Sequence, residues 1–592
     1  MTKKQIDEAE PDVDFVERMR HTLSHVMAAA ILELYPDVKL GIGPAIENGF
    51  YYDIDFGKTK ISEDDLPKIE KKMRGIIQRK LPMVRREVSR NDALDWAIDG
   101  GQTLKKELIE ELPESDKITF YDMGELFTDL CKGPHVENTG ECGPFKLVKV
   151  AGAYWRGDEK REMLTRIYGV AFESEEELEE YLKRQEEAKA RDHRKLGKEL
   201  DLFTFSDLVG AGLPMFTPRG TVLRDVLANY SLSLRQKAGF SRVWTPHITK
   251  VDLYKTSGHY AKFGDELFMV HSQVNGEEFA MKPMNCPHHT QIFASKPRTY
   301  KEMPVRYMEP TTDYRDEKTG ELGGLSRVRS LTQDDSHVFC RSTQIKDEIH
   351  NLVGIVREFY SEMGMKLRAR LSYRNDEDKY LGDTKLWKSA QEQIKQAAID
   401  NGLDFFEAEG EAAFYGPKID FMAEDAIGRE HQVATVQLDF VQPERFGLEF
   451  VNEKGEKERP VMIHHATLGS IERFMSVFIE HTAGWFPFWT APEQVRVLTV
   501  NDQVEDYVQK ICSILSGVVL EKPLAHNELR YTVDESDESL GKKIRRATEM
   551  KIPCVLIVGP KDAEADEVSI RLRDSEEKAK LKDLEKYLKG LK

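Results

Sequence analysis

The chain has 592 residues, of which 40% are hydrophobic, with 86 Lys+Arg against 104 Asp+Glu. At ~100–200 residues per domain this length predicts three or four domains, and the apolar fraction argues against a disordered chain. The formal net charge of −18 argues against a generally basic nucleic-acid binder, while leaving room for a local basic face.

Six Cys residues are too few for a disulfide scaffold. The opening MTKKQIDEAEPDVDF lacks the apolar core of a signal peptide, and no run approaches the ~18 apolar residues of a membrane span. The expectation is a cytoplasmic protein without membrane contact.

Residues 1–170 read as a first, mixed α and β domain. Within it His21-Thr-Leu-Ser-His25 opens the helical stretch LSHVMAAAILELY. A spacing of four puts both imidazoles on one helix face. Asp129-Leu-Cys131-Lys-Gly-Pro-His135 follows in a turn. Two His from a helix and a Cys and a His from a turn can converge on one metal, or on a metal-free acid–base pocket. The spacing leaves both open.

Residues 171–200 form a connector. Glu173–Leu200 is charge-rich and has no Pro. Ser174 with Glu177 fits a capping box, and acid–base pairs at helical spacing follow. Its sparse apolar positions suit a solvated helix better than a coiled-coil seam.

Residues 201–490 carry a second constellation in MKPMNCPHH, QDDSHVF and VMIHHATLGSIERF. Cys286, His337 and His464 offer one thiolate and two imidazoles, the donor set of a zinc that keeps a position open for substrate. On chemistry alone His288, His289 and His465 compete as ligands. Arg315, Arg327 and Arg329 bracket the stretch Thr319-Gly-Glu-Leu-Gly-Gly324. Glycines permit a tight mobile loop, and guanidinium forks suit phosphate oxygens. A salt-bridged hairpin is the alternative. Neither GxxxxGK[ST] nor GxGxxG occurs in a strand–helix context.

A Pro-rich break, Phe486–Pro492, precedes residues 493–592. There Val495–Val500 and Cys554–Val558 read as buried strands and Leu540–Met550 as a helix, which predicts a small α/β domain.

These motifs together resemble a known family. HTLSH, DLCKGPHV and AYWRGDEKREMLTRIYG look like the editing domain of threonyl-tRNA synthetases, which alanyl-tRNA synthetases share in related form. FSRVWTPHI around Pro246, TTDYRDE with GLSRVRSLTQDDSHVF, and LGSIERF with Gly469, Glu472 and Arg473 resemble the three motifs of a class II aminoacyl-tRNA synthetase core. MNCP, QDDSH, AFYGPK and TVQLDF narrow the likeness to the threonyl-tRNA synthetase family of bacterial type. The resemblance implies an α+β multidomain fold: an antiparallel-sheet catalytic core, an α+β editing domain and a C-terminal α/β anticodon-binding domain. It implies ATP-dependent activation of L-threonine, transfer to tRNA(Thr), hydrolysis of Ser-tRNA(Thr), and a homodimer.

Residue by residue, it implies an editing pocket of His21, His25, Lys105, Asp129, Cys131 and His135. It implies Zn²⁺, one per subunit, on Cys286, His337 and His464. Threonine would meet Gln333, Asp335, Tyr415 and Gln437. ATP with Mg²⁺ would meet Arg315, Glu317, Arg327, Gln432, Thr435 and Arg473. Arg315, His259, Lys418 and Gln432 would serve the chemistry, with His259 beside the tRNA terminal hydroxyl. Arg545, Arg546 and Arg571 would face the anticodon stem-loop. The chain departs from the family pattern in several places. The editing domain starts almost at once, so a small ubiquitin-like domain is expected to be missing. His288 stands for a usual Gly and His465 for a usual Arg. Leu331 stands where an aromatic ring commonly stacks on adenine, and Ser536-Asp537-Glu538 where Arg-Asn-Glu is usual.

Overall fold

The computed structural model describes residues 13–158, 160–375, 377, 379–520 and 527–591. The chain divides into two compact units, Met1–Glu186 and Glu187–Lys592.

In the first unit the helix Phe15–Leu34 begins at Asp14, whose carboxylate accepts the Val16 N–H at 3.0 Å. This satisfies one of the free donors at the helix start. Met19, Leu23, Val26, Met27 and Ala30 are buried from it. They share one core with Phe50, Tyr52 and Ile54 of the strand Gly49–Asp55. That strand pairs antiparallel with Lys39–Leu40, Ala45–Ile46 and Met163–Ala171, and the last pairs with Phe145–Tyr154. A second sheet joins Met83–Val88, Ile118–Met123 and Phe127–Leu130. Its last strand runs into the Cys131–His135 turn, which Thr119 ties back: its carbonyl accepts the Cys131 N–H at 3.0 Å.

The connector departs from the expected single solvated helix. It forms two helices, Glu175–Arg191 and His193–Glu199. Asp192 restarts the helix by accepting the Arg194 N–H at 2.8 Å, and His193, Leu196 and Gly197 are buried. The capping box is only half formed. Ser174 accepts the Glu177 N–H, but the Glu177 carboxylate takes the N–H of Glu173 rather than that of Ser174.

The second unit is built on an eight-stranded sheet. Its order is Ser241–Arg242, Val305–Tyr314, Ser330–Cys340, Val461–Ser470, Glu430–Asp439, Lys418–Glu424, Lys366–Tyr373, Phe405–Glu409. All pairs are antiparallel except the one at each edge. Side chains alternate between the two faces. Val338, Cys340, Val436, Leu438, Ile463, Ile419 and Phe421 pack on the helices Pro218–Lys237, Ile345–Glu362 and Ile471–Thr482 in one core. The intervening residues are left for the opposite face. On that face register aligns Tyr307, His337, His464, Gln437 and Lys418 across five strands, and next to them Glu309, Asp335, Ala466, Thr435 and Asp420.

Two bulges re-aim side chains here. One lies between Gln333 and Asp335, where the buried Asp334 carboxylate accepts the N–H groups of Thr467 and Leu468. The other, beside Phe421 and Met422, turns Gln432 toward Arg370.

The C-terminal part has a five-stranded sheet: Tyr531–Asp534, Val495–Thr499, Cys554–Val558, Glu567–Arg571, Glu576–Lys580. The first three strands are parallel and the last two antiparallel. The helix Leu540–Glu549 covers Leu498 and Val555. Glu493 binds both Arg219 and Arg496 at 2.7 Å, which fixes this sheet to the helix Pro218–Lys237.

Candidate active sites

In the first unit His21 and His25 stand one helical turn apart and meet the Cys131–His135 turn. Cys131 Sγ lies 3.4 Å from His21 Nε2 and 3.3 Å from His135 Nε2. Tautomers follow from the partners. His21 Nδ1 faces the Pro134 carbonyl at 3.1 Å, so Nδ1 holds the proton. Thr22 donates its hydroxyl to the Arg18 carbonyl, so His135 Nδ1 donates to Thr22 Oγ1 at 3.1 Å. Two Nε2 lone pairs thus face one thiol, and one of them is free to take a proton from water.

Burial holds His25 and His135 well below the ordinary imidazole range and lowers His21, so the imidazoles are neutral. Burial pushes the Cys131 thiol up to about 12. Beneath them Asp129 pairs with Lys105 at 2.6 Å and accepts the Tyr52 hydroxyl at 2.5 Å. All six residues expected in this pocket come together. Tyr52 and Thr22 were not read from the sequence, although Thr22 lies inside HTLSH. The ligand atoms of His21, His25, Cys131 and His135 lie within 4.8 Å of one another, so the donor set suits either a metal or water activation by neutral imidazole.

In the second unit the ligand atoms of Cys286, His337 and His464 also lie within 4.8 Å of one another, all buried. His337 Nε2 and His464 Nδ1 face each other at 3.1 Å. Their outer nitrogens are held: His464 Nε2 by Asp439 at 2.8 Å, His337 Nδ1 by His289 at 2.8 Å. Such outer-shell partners orient metal-binding imidazoles, so this donor set fits Zn²⁺.

The three competing His residues take other places. His289 stands behind His337 and contacts Glu309. His465 points to the opposite sheet face, against Ser336. His288 is buried, with neither ring nitrogen hydrogen-bonded among the described residues. Around the cluster, Tyr415 stacks on His464 with centroids 4.7 Å apart, and its hydroxyl donates to Gln437 at 2.6 Å. Asp335 lies 3.7 Å from His337, and burial pushes its carboxyl well above the usual range. Lys418 pairs with Asp420 at 3.0 Å. His259 donates from Nδ1 to Ser257 at 2.7 Å, its Nε2 lies 3.9 Å from Cys286 Sγ, and burial pulls it down to about 3.

An adjoining cavity of about 810 Å³ is lined by Arg315, Glu317, Arg327, Gln333, Gln432, Thr435 and Arg473. Every residue expected at a nucleotide lines it, and Leu331 lines it too. Arg327 is bridged to Glu317 at 2.7 Å and to Glu321 at 2.5 Å, so the glycine-rich loop also has the ion pairs of the alternative reading. In the C-terminal part Arg546 is bound by Asp534 and Glu538, and Arg571 by Glu576. Arg545 is exposed and has no ion pair among the described residues.

Comparison with known proteins agrees with this architecture. Residues 118–168 match the threonyl and alanyl tRNA synthetase second additional domain. Residues 268–482 match the tRNA synthetase class II core domain for G, H, P, S and T, and residues 494–591 an anticodon binding domain. A threonine–tRNA ligase of Gloeobacter violaceus is 50% identical over 96% of this chain and 90% of its own length. One from Bacteroides fragilis is 48% identical over 95% and 86%. A solved structure described as the RNA binding domain of threonyl-tRNA synthetase from Cryptosporidium parvum superposes with a TM-score of 0.63 at 34% identity. That match covers 68% of this chain and 98% of that one. Whole-length identity of this order, on top of three family domains in order, shows that the chain belongs to the threonine–tRNA ligases.

Proposed function

We propose that the metal-type cluster and the adjoining cavity form one aminoacylation site, and that the His21–His135 pocket is a separate editing site. The observation that carries this reading is the shared sheet face. Strand period places Gln333, Asp335 and His337 on one side of one strand, and register sets His464, Gln437 and Lys418 beside them.

L-Threonine enters on the Cys286 side and ATP, with Mg²⁺, in the cavity. Zn²⁺ held by Cys286, His337 and His464 would supply a Lewis acid for the amino group and hydroxyl of threonine. Asp335 accepts the hydroxyl proton. Gln333, Tyr415 and Gln437 orient the amino acid. Arg315 neutralises the α-phosphate under attack by the threonine carboxylate, Arg473 packs on adenine, and Glu317, Arg327, Gln432 and Thr435 hold the nucleotide. Positioning and charge neutralisation suffice because no covalent enzyme intermediate is needed. Neutral His259, beside Tyr415 and Cys286, serves the terminal tRNA hydroxyl, with Lys418 on the same sheet face. Arg545, Arg546 and Arg571 meet the anticodon arm. The working parts are residues 1–170 for editing, 171–200 as connector, 201–490 for catalysis and 493–592 for the anticodon, in a cytoplasmic homodimer.

The two sites answer one selectivity problem. Valine lacks the hydroxyl, and a site built to bind that hydroxyl rejects it by ~10⁴–10⁵. Serine lacks only a methyl, worth ~1–3 kcal/mol or roughly 10–200-fold, so it is charged in error and must be removed. In the editing pocket a neutral imidazole Nε2 takes the proton from water attacking the ester and returns it to the departing terminal ribose oxygen of the tRNA as the acyl C–O bond breaks, giving free serine and tRNA. The Lys105–Asp129 pair holds the floor.

Threonine-dependent ATP–pyrophosphate exchange tests the first site: activity with threonine, less with serine and almost none with valine. No exchange with any of the three would overturn it. Zinc content should fall on Cys286→Ala. A His21→Ala/His25→Ala enzyme should keep exchange and lose Ser-tRNA(Thr) hydrolysis. Intact hydrolysis would remove these residues from editing.

A further inference from the structure

His193 opens the helix His193–Glu199, in the part of the connector that turned out buried. Both of its ring nitrogens are committed. The Leu325 N–H lies 3.1 Å from Nε2. An amide N–H only donates, so Nε2 carries the lone pair and the proton sits on Nδ1. Nδ1 then donates to Glu480 Oε1 at 2.7 Å, and the His193 main-chain N–H reaches the same oxygen at 3.1 Å. The other Glu480 oxygen accepts from Arg429 at 2.6 Å, and Arg429 is fixed in turn by Asp425 at 2.7 Å.

Those two contacts join elements that are far apart in sequence. Leu325 follows the glycine-rich turn, between Glu317 and Arg327. Glu480 lies in the last turn of the helix Ile471–Thr482, whose first turn bears Arg473. Gly324 has φ +60°, and a Cβ there would overlap His193 Nε2 and the Arg194 side chain. The turn therefore rests directly on the imidazole. His193 and Glu480 line the same cavity as Arg315, Arg327 and Arg473. The ligand atoms of Asp192, His193 and Glu480 are close enough for a metal, but their bonds to Arg194, Leu325 and Arg429 already satisfy them.

We propose that His193 is a positioning residue for the ATP-dependent step: it keys the glycine-rich loop to the Arg473 helix and so fixes the width of the nucleotide cavity. This rests on reading that cavity as the ATP site.

Two amide variants separate the bonds. His193→Asn leaves a donor near Nδ1 for Glu480 but removes the acceptor for Leu325. His193→Gln places a carbonyl oxygen near Nε2 and keeps it. In threonine-dependent pyrophosphate exchange, His193→Asn and His193→Ala should raise the KM for ATP about tenfold, on the scale of one lost hydrogen bond, with the KM for threonine changed less than about twofold. His193→Gln should stay within about threefold of the parent on both. Hydrogen exchange of the 319–329 segment, measured without nucleotide, should quicken in the Asn and Ala variants and not in the Gln variant. The proposal is overturned if segment exchange is unchanged in the Asn and Ala variants, if the Gln variant falls as far as Ala, or if threonine KM rises as much as ATP KM. Absence of pyrophosphate exchange in the parent would instead defeat the ATP reading, and segment exchange would still decide the key.

Discussion

Asp313 faces the site side of the strand Val305–Tyr314, fully buried, with neither carboxylate oxygen hydrogen-bonded among the described residues. Burial raises its pKa to about 7, and Lys282 and Arg315 oppose that rise. The folded chain thus holds this proton more tightly than the unfolded chain, where an Asp titrates near ~3.9. Below ~4 both states are protonated and the residue is neutral to stability. Between ~4 and about 7 stability falls with rising pH, and above that the full cost remains, at most roughly 4 kcal/mol for three pKa units. Asp313→Asn removes the cost. In urea unfolding of metal-free protein, its stability gain over the parent should be near zero at pH 4, grow to pH 7 and then level off. A gain independent of pH would show that Asp313 does not titrate there.

Residues of this kind were not legible in the sequence. Cys286, His337 and His464 stand in short, specific motifs. Asp313, Tyr52 and His193 matter through what is brought against them from other strands and helices, and a single sequence holds no record of those contacts.

At the level of elements, the sequence marked the helix carrying HTLSH, the helix read as Leu540–Met550 and the strands read as Val495–Val500 and Cys554–Val558, because period and composition agree there. In the C-terminal part boundaries moved by a residue at most, the helix read to Met550 ending at Glu549 and the strand read to Val500 ending at Thr499, whereas the HTLSH helix starts earlier, at Phe15. Bulges left no such trace, although one of them brings Gln432 to the site. The turn in AFYGPK shows how tightly an element can be set. A Cβ on Gly416 would overlap the Leu438 carbonyl, which lies on the neighbouring strand. Gly416 therefore lets Tyr415 reach His464 and Gln437. Overpacking costs roughly 1–3 kcal/mol, so Gly416→Ala should raise the KM for threonine by about tenfold with a smaller change in the KM for ATP. An unchanged threonine KM would show that Tyr415 is held by other contacts.

For the whole molecule, charge is informative once it is divided. Residues 1–170 carry 26 Lys+Arg against 32 Asp+Glu, and residues 493–592 carry 18 against 20. Most of the acidic excess therefore lies between them, and near-neutral outer parts can still present basic faces to tRNA. Binding to tRNA should weaken as salt rises, each phosphate contact adding ~0.7–0.9 to the slope of log K against log salt. Arg546 already spends its charge on Asp534 and Glu538, whereas Arg545 is unpaired among the described residues. Filter binding of tRNA(Thr) over a salt series should show Arg545→Ala lowering the slope by nearly one and Arg546→Ala lowering it less. Equal effects would mean that Arg546 leaves its carboxylates when tRNA binds.

The sequence by itself determined the family and the candidate donor sets, since Cys/His/His and HTLSH with CKGPH are local patterns that chemistry constrains. It left the ligand choice open among six Cys and His residues. Tertiary structure shows which of them converge, because only strand pairing puts His337 and His464 in one row and turns His465 to the far face. It also decided that the connector's end is buried, because His193 finds both of its partners, Leu325 and Glu480, more than a hundred residues away.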